Sequence, residues 1–200
     1  MSAARQVLTQ RGYDHSSMGA IADASGIAKA NLYQYFADRD AIIAVVVDEI
    51  MADVVEGIGQ RLQAALTTGD PATGPDLITG VFDQLDTHRP VLNAIVRSAP
   101  HLLPPSAFAP ISQRWGDVTR ALLAIKAFGR YDDRPEVDAE ALVEILSVCG
   151  PAMCLHYLSR DNRERRRVLA RTYYSMAFGG IVAAGLHHPS ATEEPSHEAT

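Results

Sequence analysis

The chain is poor in cysteine, lysine and tryptophan, and it has no long apolar run. Its 200 residues include two Cys, two Lys and one Trp. Cys149 and Cys154 lie five apart on an expected helix; at ~100° per residue they fall on different faces, so no bridge between them is expected. Reduced, buried thiols suit a reducing compartment. No stretch approaches the ~18 apolar residues needed to span a bilayer, so no membrane partner is expected. The N-terminal MSAARQVLTQRGY lacks the apolar core of a signal peptide. The expectation is a soluble, cytoplasmic protein. Alternating apolar–polar runs and Asn-Gly hairpin turns are also missing, which excludes a sheet-based fold. The formal net charge of −6 excludes nucleic-acid binding through bulk charge, so any such contact must come from a local surface. No nucleophile–base pair or phosphate loop appears, and catalysis has no support. His88, His101, His187, His188 and His197 show no helical metal spacing, so no metal or other cofactor is expected. Sixteen Arg against two Lys, with abundant Ala, reflects GC-rich codon usage rather than function.

What is present is helical periodicity almost throughout. Three short helices are expected in the first 36 residues. The first, AARQVLTQ, stops at Gly12. The second, MGAIADAS, starts after the N-capping pair Ser16-Ser17 and ends at Gly26, and AKANLYQYF follows. Asp38 caps a long fourth helix, 39–66, with Asp40 in its first turn, where a negative charge suits the helix dipole. TTGDPATGPD reads as a loop and hinge. Further helices are expected over 76–88 and 91–99, split by Pro90; over 106–128, kinked at Pro110; over 136–160, bent at Gly150-Pro151; and over 164–186. The polar tail, 187–200, is expected to be disordered. The fold class is therefore all-α, with an N-terminal unit over 1–45 and a helical body over 46–186.

The stretch SGIAKANLYQYF crowds Tyr33, Tyr35 and Phe36 beside a single charge, Lys29. Small Ala22 permits a close helix crossing, Gly26 supplies a tight turn at positive φ, and Leu32 locks the next helix onto the previous one. That is a helix-turn-helix arrangement, whose second helix is placed to enter a major groove. Lys29, Ala30, Asn31, Tyr33 and Gln34 would then face outward, with Leu32 and Phe36 inward. Tyr hydroxyls donate to phosphate oxygens, and Asn31 and Gln34 match adenine edges. The same spacing also fits a plain core hairpin with an aromatic stripe, and spacing alone does not decide between them.

Residues 12–43, GYDHSSMGAIADASGIAKANLYQYFADRDAII, resemble the DNA-binding domain of the TetR (TetR/AcrR) family of transcriptional regulators. The matching residues are Gly12-Tyr13, Ser16-Ser17, Ile21-Ala22, Gly26, Lys29, Leu32-Tyr33, Tyr35-Phe36 and Arg39. The resemblance implies a homodimer with two helix-turn-helix heads on double-stranded operator DNA, and repression relieved by a small molecule held in the C-terminal ligand-binding and dimerisation domain. It makes Ser17, Lys29, Ala30, Asn31, Tyr33, Gln34, Tyr35 and Arg39 the DNA-facing candidates. Two features depart from the family pattern. Ala28 stands where a Ser or Thr usually caps the recognition helix. Only Met1 and Ser2 precede the matched Ala3-Ala4, where relatives carry another turn or a basic arm, which leaves either a misassigned start or a missing arm. Within residues 1–40, Arg5, Arg11, Lys29 and Arg39 balance Asp14, Asp23, Asp38 and Asp40, so phosphate contacts must lean on hydroxyls and backbone N–H groups.

For the body, a small, largely apolar ligand is expected among Phe82, Leu85, Asn93, Val96, Trp115, Thr119, Leu122, Cys149, Met153 and His156. Core packing is at least as good a reading of Trp115. Asn93 and His156 are more often satisfied core groups than ligand contacts, and both cysteines read as buried and structural. RERRR, 163–167, reads as a solvated face or inter-subunit ion-pair site. Small residues in YYSMAFGGIVAAG suit a four-helix dimer interface. The rival function is a dimeric small-molecule binder with weak or lost DNA affinity, and the neutral head is its support.

Overall fold

The computed structural model describes residues 1–68, 73–124, 139–174 and 176. Among these, nine α-helices follow in chain order: α1 Ser2–Arg11, α2 Met18–Ser25, α3 Lys29–Tyr35, α4 Arg39–Thr68, α5 Thr73–Thr87, α6 Arg89–Ser98, α7 Ala109–Ala124, α8 Ala139–Leu158 and α9 Arg163–Tyr174. Two single 3-10 turns, Pro100–Leu102 and Pro105–Phe108, link α6 to α7. No strand occurs among the described residues.

Local chemistry sets most boundaries. Gly12 (φ 73°) closes α1 and Gly26 (φ 68°) closes α2, each in a region that side-chain-bearing residues avoid. Ser17 Oγ accepts the Ala20 N–H at 3.1 Å and starts α2. Asp38 Oδ1 accepts the Ala41 N–H at 2.8 Å and starts α4. Two expectations shift. α5 begins at Thr73, inside the expected loop, because Pro75 is tolerated in a first turn. Pro110 does not kink a helix; it sits in the first turn of α7, which begins at Ala109. α8 runs through Pro151 as one helix. The expected end of the last helix and the tail lie outside the described residues.

α1, α2 and α3 form a small head around Ala4, Leu8, Met18, Ile21 and Leu32. α4 joins head and body. Its Ile42 and Ile43 are buried under the head, and Val54 and Ile58 are buried in the body beside Val81, Leu85, Ile95 and Phe108. One apolar cluster thus runs unbroken from Ala4 to Ala170, so a force on the body reaches the head through packed side chains. In the body, α4 packs on α5 and α7, α7 on α8, and α9 on α5. None of the described helices is long and apolar enough to cross a membrane.

Candidate nucleic-acid interface

α3 is seven residues long and shows its two sides clearly. Leu32 is buried and Phe36 half-buried, while Lys29, Ala30, Asn31, Tyr33, Gln34 and Tyr35 are exposed. Tyr33 is 51% and Tyr35 79% exposed; large aromatic rings left in water on a polar face are a cost that core packing does not explain. Lys29 Nζ lies 5.8 Å from the Tyr33 ring centroid, which gathers charge and hydroxyl on one side of the helix. Ala28 offers α3 no side-chain cap. Seven of the eight DNA-facing candidates therefore lie at the surface, Ser17 among them at the start of α2.

Arg39 differs. Its guanidinium stacks 3.9 Å over the Tyr13 ring, its Nη1 donates to the Tyr13 carbonyl at 3.2 Å, and its Nε donates to Asp40 Oδ1 at 3.1 Å. It is turned inward to fasten the α1–α2 loop to α4, because that loop offers an aromatic face and a carbonyl together. Arg11 and His15, which the motif did not single out, lie with Ser17 around a surface hollow at the start of α2. Only the turn geometry brings them there.

Asp40 is the hub between head and body. Tyr13 Oη donates to its Oδ1 at 2.9 Å, and His101 Nε2 lies 3.4 Å from its Oδ2. Burial alone would raise its carboxyl, but the hydrogen bonds from Tyr13, Arg39 and His101 outweigh that and hold it below the usual value. Burial and the Asp40 hydrogen bond push the Tyr13 hydroxyl up. Nearby, Ser98 Oγ donates to Asp14 Oδ2 at 3.4 Å, and Arg5 pairs with Glu49 and Asp53. The end of α6 thus touches the head directly, besides acting through α4.

In the body, Phe82 and Leu85 are buried and Val96 packs against the core. Phe82 packs against Tyr157 with ring centroids 4.6 Å apart and planes tilted by 43°, and meets Tyr173 edge-on at 6.3 Å, two rings not singled out from sequence. Asn93 and Met153 are half-buried. His156 is exposed rather than set in apolar surroundings, on the outer side of a last turn of α8 whose Tyr157 and Leu158 are buried. Cys154 is buried, with its thiol pushed up to about 12 by that burial, whereas Cys149 is exposed and not the buried thiol expected. The side chains of Trp115, Thr119 and Leu122 lie outside the described residues. Arg166 departs furthest from expectation. It is 6% exposed, not solvated, and faces Asp86 within its own chain, at 3.4 Å from Nε to Oδ1. Its Nη1 donates to the Asp161 carbonyl at 2.7 Å. Tyr157 Oη donates to Asp86 Oδ2 at 3.0 Å, and Arg89 lies 3.6 Å from Asp86 Oδ1. This network ties α5, α6, α8 and α9 together.

A family model for bacterial regulatory proteins, tetR family, matches residues 1–46. No curated protein matches the sequence. Among solved structures, the fold resembles the fatty acid degradation regulator FadR from Bacillus halodurans, with TM-score 0.61 and 19% identity, covering 94% of each chain. It also resembles the TetR family transcriptional regulator PfmR from Thermus thermophilus, with TM-score 0.55 and 19% identity, over 88% of this chain and 94% of that one. A third likeness is to the TetR family repressor AlkX from a Dietzia species, with TM-score 0.51 and 14% identity, over 92% of this chain and 95% of that one. At these identities the likeness is one of fold.

Proposed function

We propose, from a chain that carries a TetR-family DNA-binding head on the fold of TetR-family transcriptional regulators, that it acts in the cytoplasm as a ligand-responsive repressor of operator DNA. The observation that carries this reading is the outer face of α3. Lys29, Asn31, Tyr33 and Gln34 stand in water on a helix whose one buried anchor is Leu32. Tyr33 and Lys29 hold phosphates, and Asn31 and Gln34 touch base edges. With Arg39 turned inward, Arg11 at the end of α1 and His15 in the loop after it join Ser17 on the backbone-contacting side. The working unit is a homodimer, with residues 1–45 as head and 46–186 as ligand-binding and dimerisation body. It works by binding, without catalysis.

Its heads engage together only when their separation fits one helical turn of DNA, about 34 Å, or a multiple. A small molecule in the body tilts α4 and spoils that spacing. Loss of binding by ~1–3 kcal/mol would weaken operator affinity about 5- to 150-fold. The second reading, a dimeric binder with little DNA affinity, is favoured by the neutral head and the uncapped α3. A gel shift of the full chain on the DNA upstream of its own gene, with a scrambled duplex as control, separates the two. A discrete complex on the upstream DNA alone supports the repressor; equal, weak binding to both supports the binder.

A further inference from the structure

Where α5 turns into α6, the body reaches α4 at a point that the head already holds. His88, the residue before α6, places its Nε2 3.7 Å from Asp53 Oδ2 on α4. The same oxygen accepts Nη1 of Arg5, on α1, at 3.3 Å, and Arg5 Nη2 donates to Glu49 at 3.2 Å. One carboxylate oxygen therefore serves a guanidinium of the head and an imidazole of the body. The imidazole is the least exposed of the three, at 15% against 27% for the Arg5 side chain and 49% for Asp53. Arg89, beside it in sequence, is turned to Asp86 and to the Leu158 carbonyl. Among the described residues, the charges that act on His88 are thus Asp53 from α4 and Arg5 from α1, with Glu49 holding Arg5.

We propose that His88 is a proton-operated release: on taking up a proton it draws Asp53 away from Arg5, so that the carboxylate passes from the head to the body. A neutral imidazole shares Asp53 with Arg5 and adds no charge. An imidazolium in the same place is a second cation against a single carboxylate oxygen, and it repels Arg5 while attracting Asp53. The proton comes from solvent and adds to the bare ring nitrogen. Arg5 keeps Glu49, so α1 is loosened on α4 rather than freed. Burial, helped by Arg5 and opposed by Asp53, holds the His88 imidazole below its ordinary value of 6.5. The unfolded chain therefore takes up this proton more readily than the folded one. The release is idle above the ordinary value of 6.5, and folding stability falls as pH drops from there through the folded value. Only its effect on DNA rests on the repressor reading; the release itself does not.

The test follows the histidine rings and backbone amides of the full chain by ¹⁵N-resolved NMR from about pH 8 to about pH 5. The His88 ring signal is the one lost in His88→Gln. It is expected to titrate below 6.5, and amides of residues 3–8 on α1 and 49–54 on α4 should shift with the same midpoint. Those linked shifts should vanish in His88→Gln, while shifts due to the other histidines remain. Arg5→Gln removes the competing cation and should move the His88 midpoint up. The release is overturned by a His88 midpoint at or above 6.5, by α1 amides that do not follow it, or by an Arg5→Gln midpoint that stays or falls. Affinity for the upstream duplex is read on the same samples at the two ends of the range. A loss on acidification that is greater in the wild type than in His88→Gln ties the release to DNA binding. Linked shifts in a chain that binds no duplex count for the release and against the repressor reading.

Discussion

Lys29 and Arg39 carry the same charge ten residues apart and are used in opposite ways. Lys29 is exposed on α3, whereas Arg39 is committed to the Tyr13 ring and carbonyl. If Lys29 sits over a phosphate, Lys29→Ala weakens binding about equally on all sequences and lowers the salt slope by ~1. Unchanged affinity and slope, read by anisotropy over a salt series, would remove Lys29 from the interface. Asp40 gives a test in pH. Its folded carboxyl lies below the ordinary value of 3.8, so its stabilising effect is fully present above the unfolded pKa and is lost as pH falls through the folded one. Asp40→Asn should therefore be less stable than wild type at neutral pH. The gap in urea midpoint should close below about pH 4, where carboxylates titrate. A gap independent of pH would mean that Asp40 acts by shape alone.

Helix starts and stops were legible because they depend on near neighbours. Ser17, Gly26 and Asp38 each do locally what their chemistry suggests. Pro75 and Pro110 were misplaced for the same reason: a first-turn proline and a breaking proline look alike until the start of the helix is known. Arg166 was illegible, because its partner Asp86 lies eighty residues away and only the packing of α9 on α5 brings them together. Asp86 holds two guanidinium groups and the Tyr157 hydroxyl. Asp86→Ala leaves Arg166 buried without its partner and should cost ~3 kcal/mol or more in urea unfolding. A loss under ~0.5 kcal/mol, the scale of an ordinary surface substitution, would show that water reaches the pair freely. On α8, Ile145 and Val148 are 57% and 71% exposed, and with Cys149 and Ala152 they follow an i, i+3, i+4, i+7 stripe on one face. The stripe motivates the proposal that a second copy covers that face. Val148→Glu should then give monomers by ultracentrifugation, and a variant that stays dimeric would move the interface elsewhere.

For the whole molecule, the central feature is that α4 belongs to both ends. Ile42 and Ile43 are buried under the head, and Val54 and Ile58 are buried in the body. The end of α6 adds a second link through Ser98 to Asp14, and His101 just beyond it adds a third to Asp40. A rod packed at both ends passes on a tilt rather than absorbing it, and two heads on one duplex tolerate little error in spacing. Everything downstream therefore depends on the head recognising a particular duplex. The most direct measurement is equilibrium binding of the full chain to labelled upstream DNA and to a scrambled duplex at one stated, near-physiological salt. A head that reads DNA binds the upstream duplex at least ~10³-fold more tightly than the scrambled one, within the range of specific DNA-binding proteins. Equal affinity for the two duplexes would contradict this and leave a helical binder whose head no longer reads DNA.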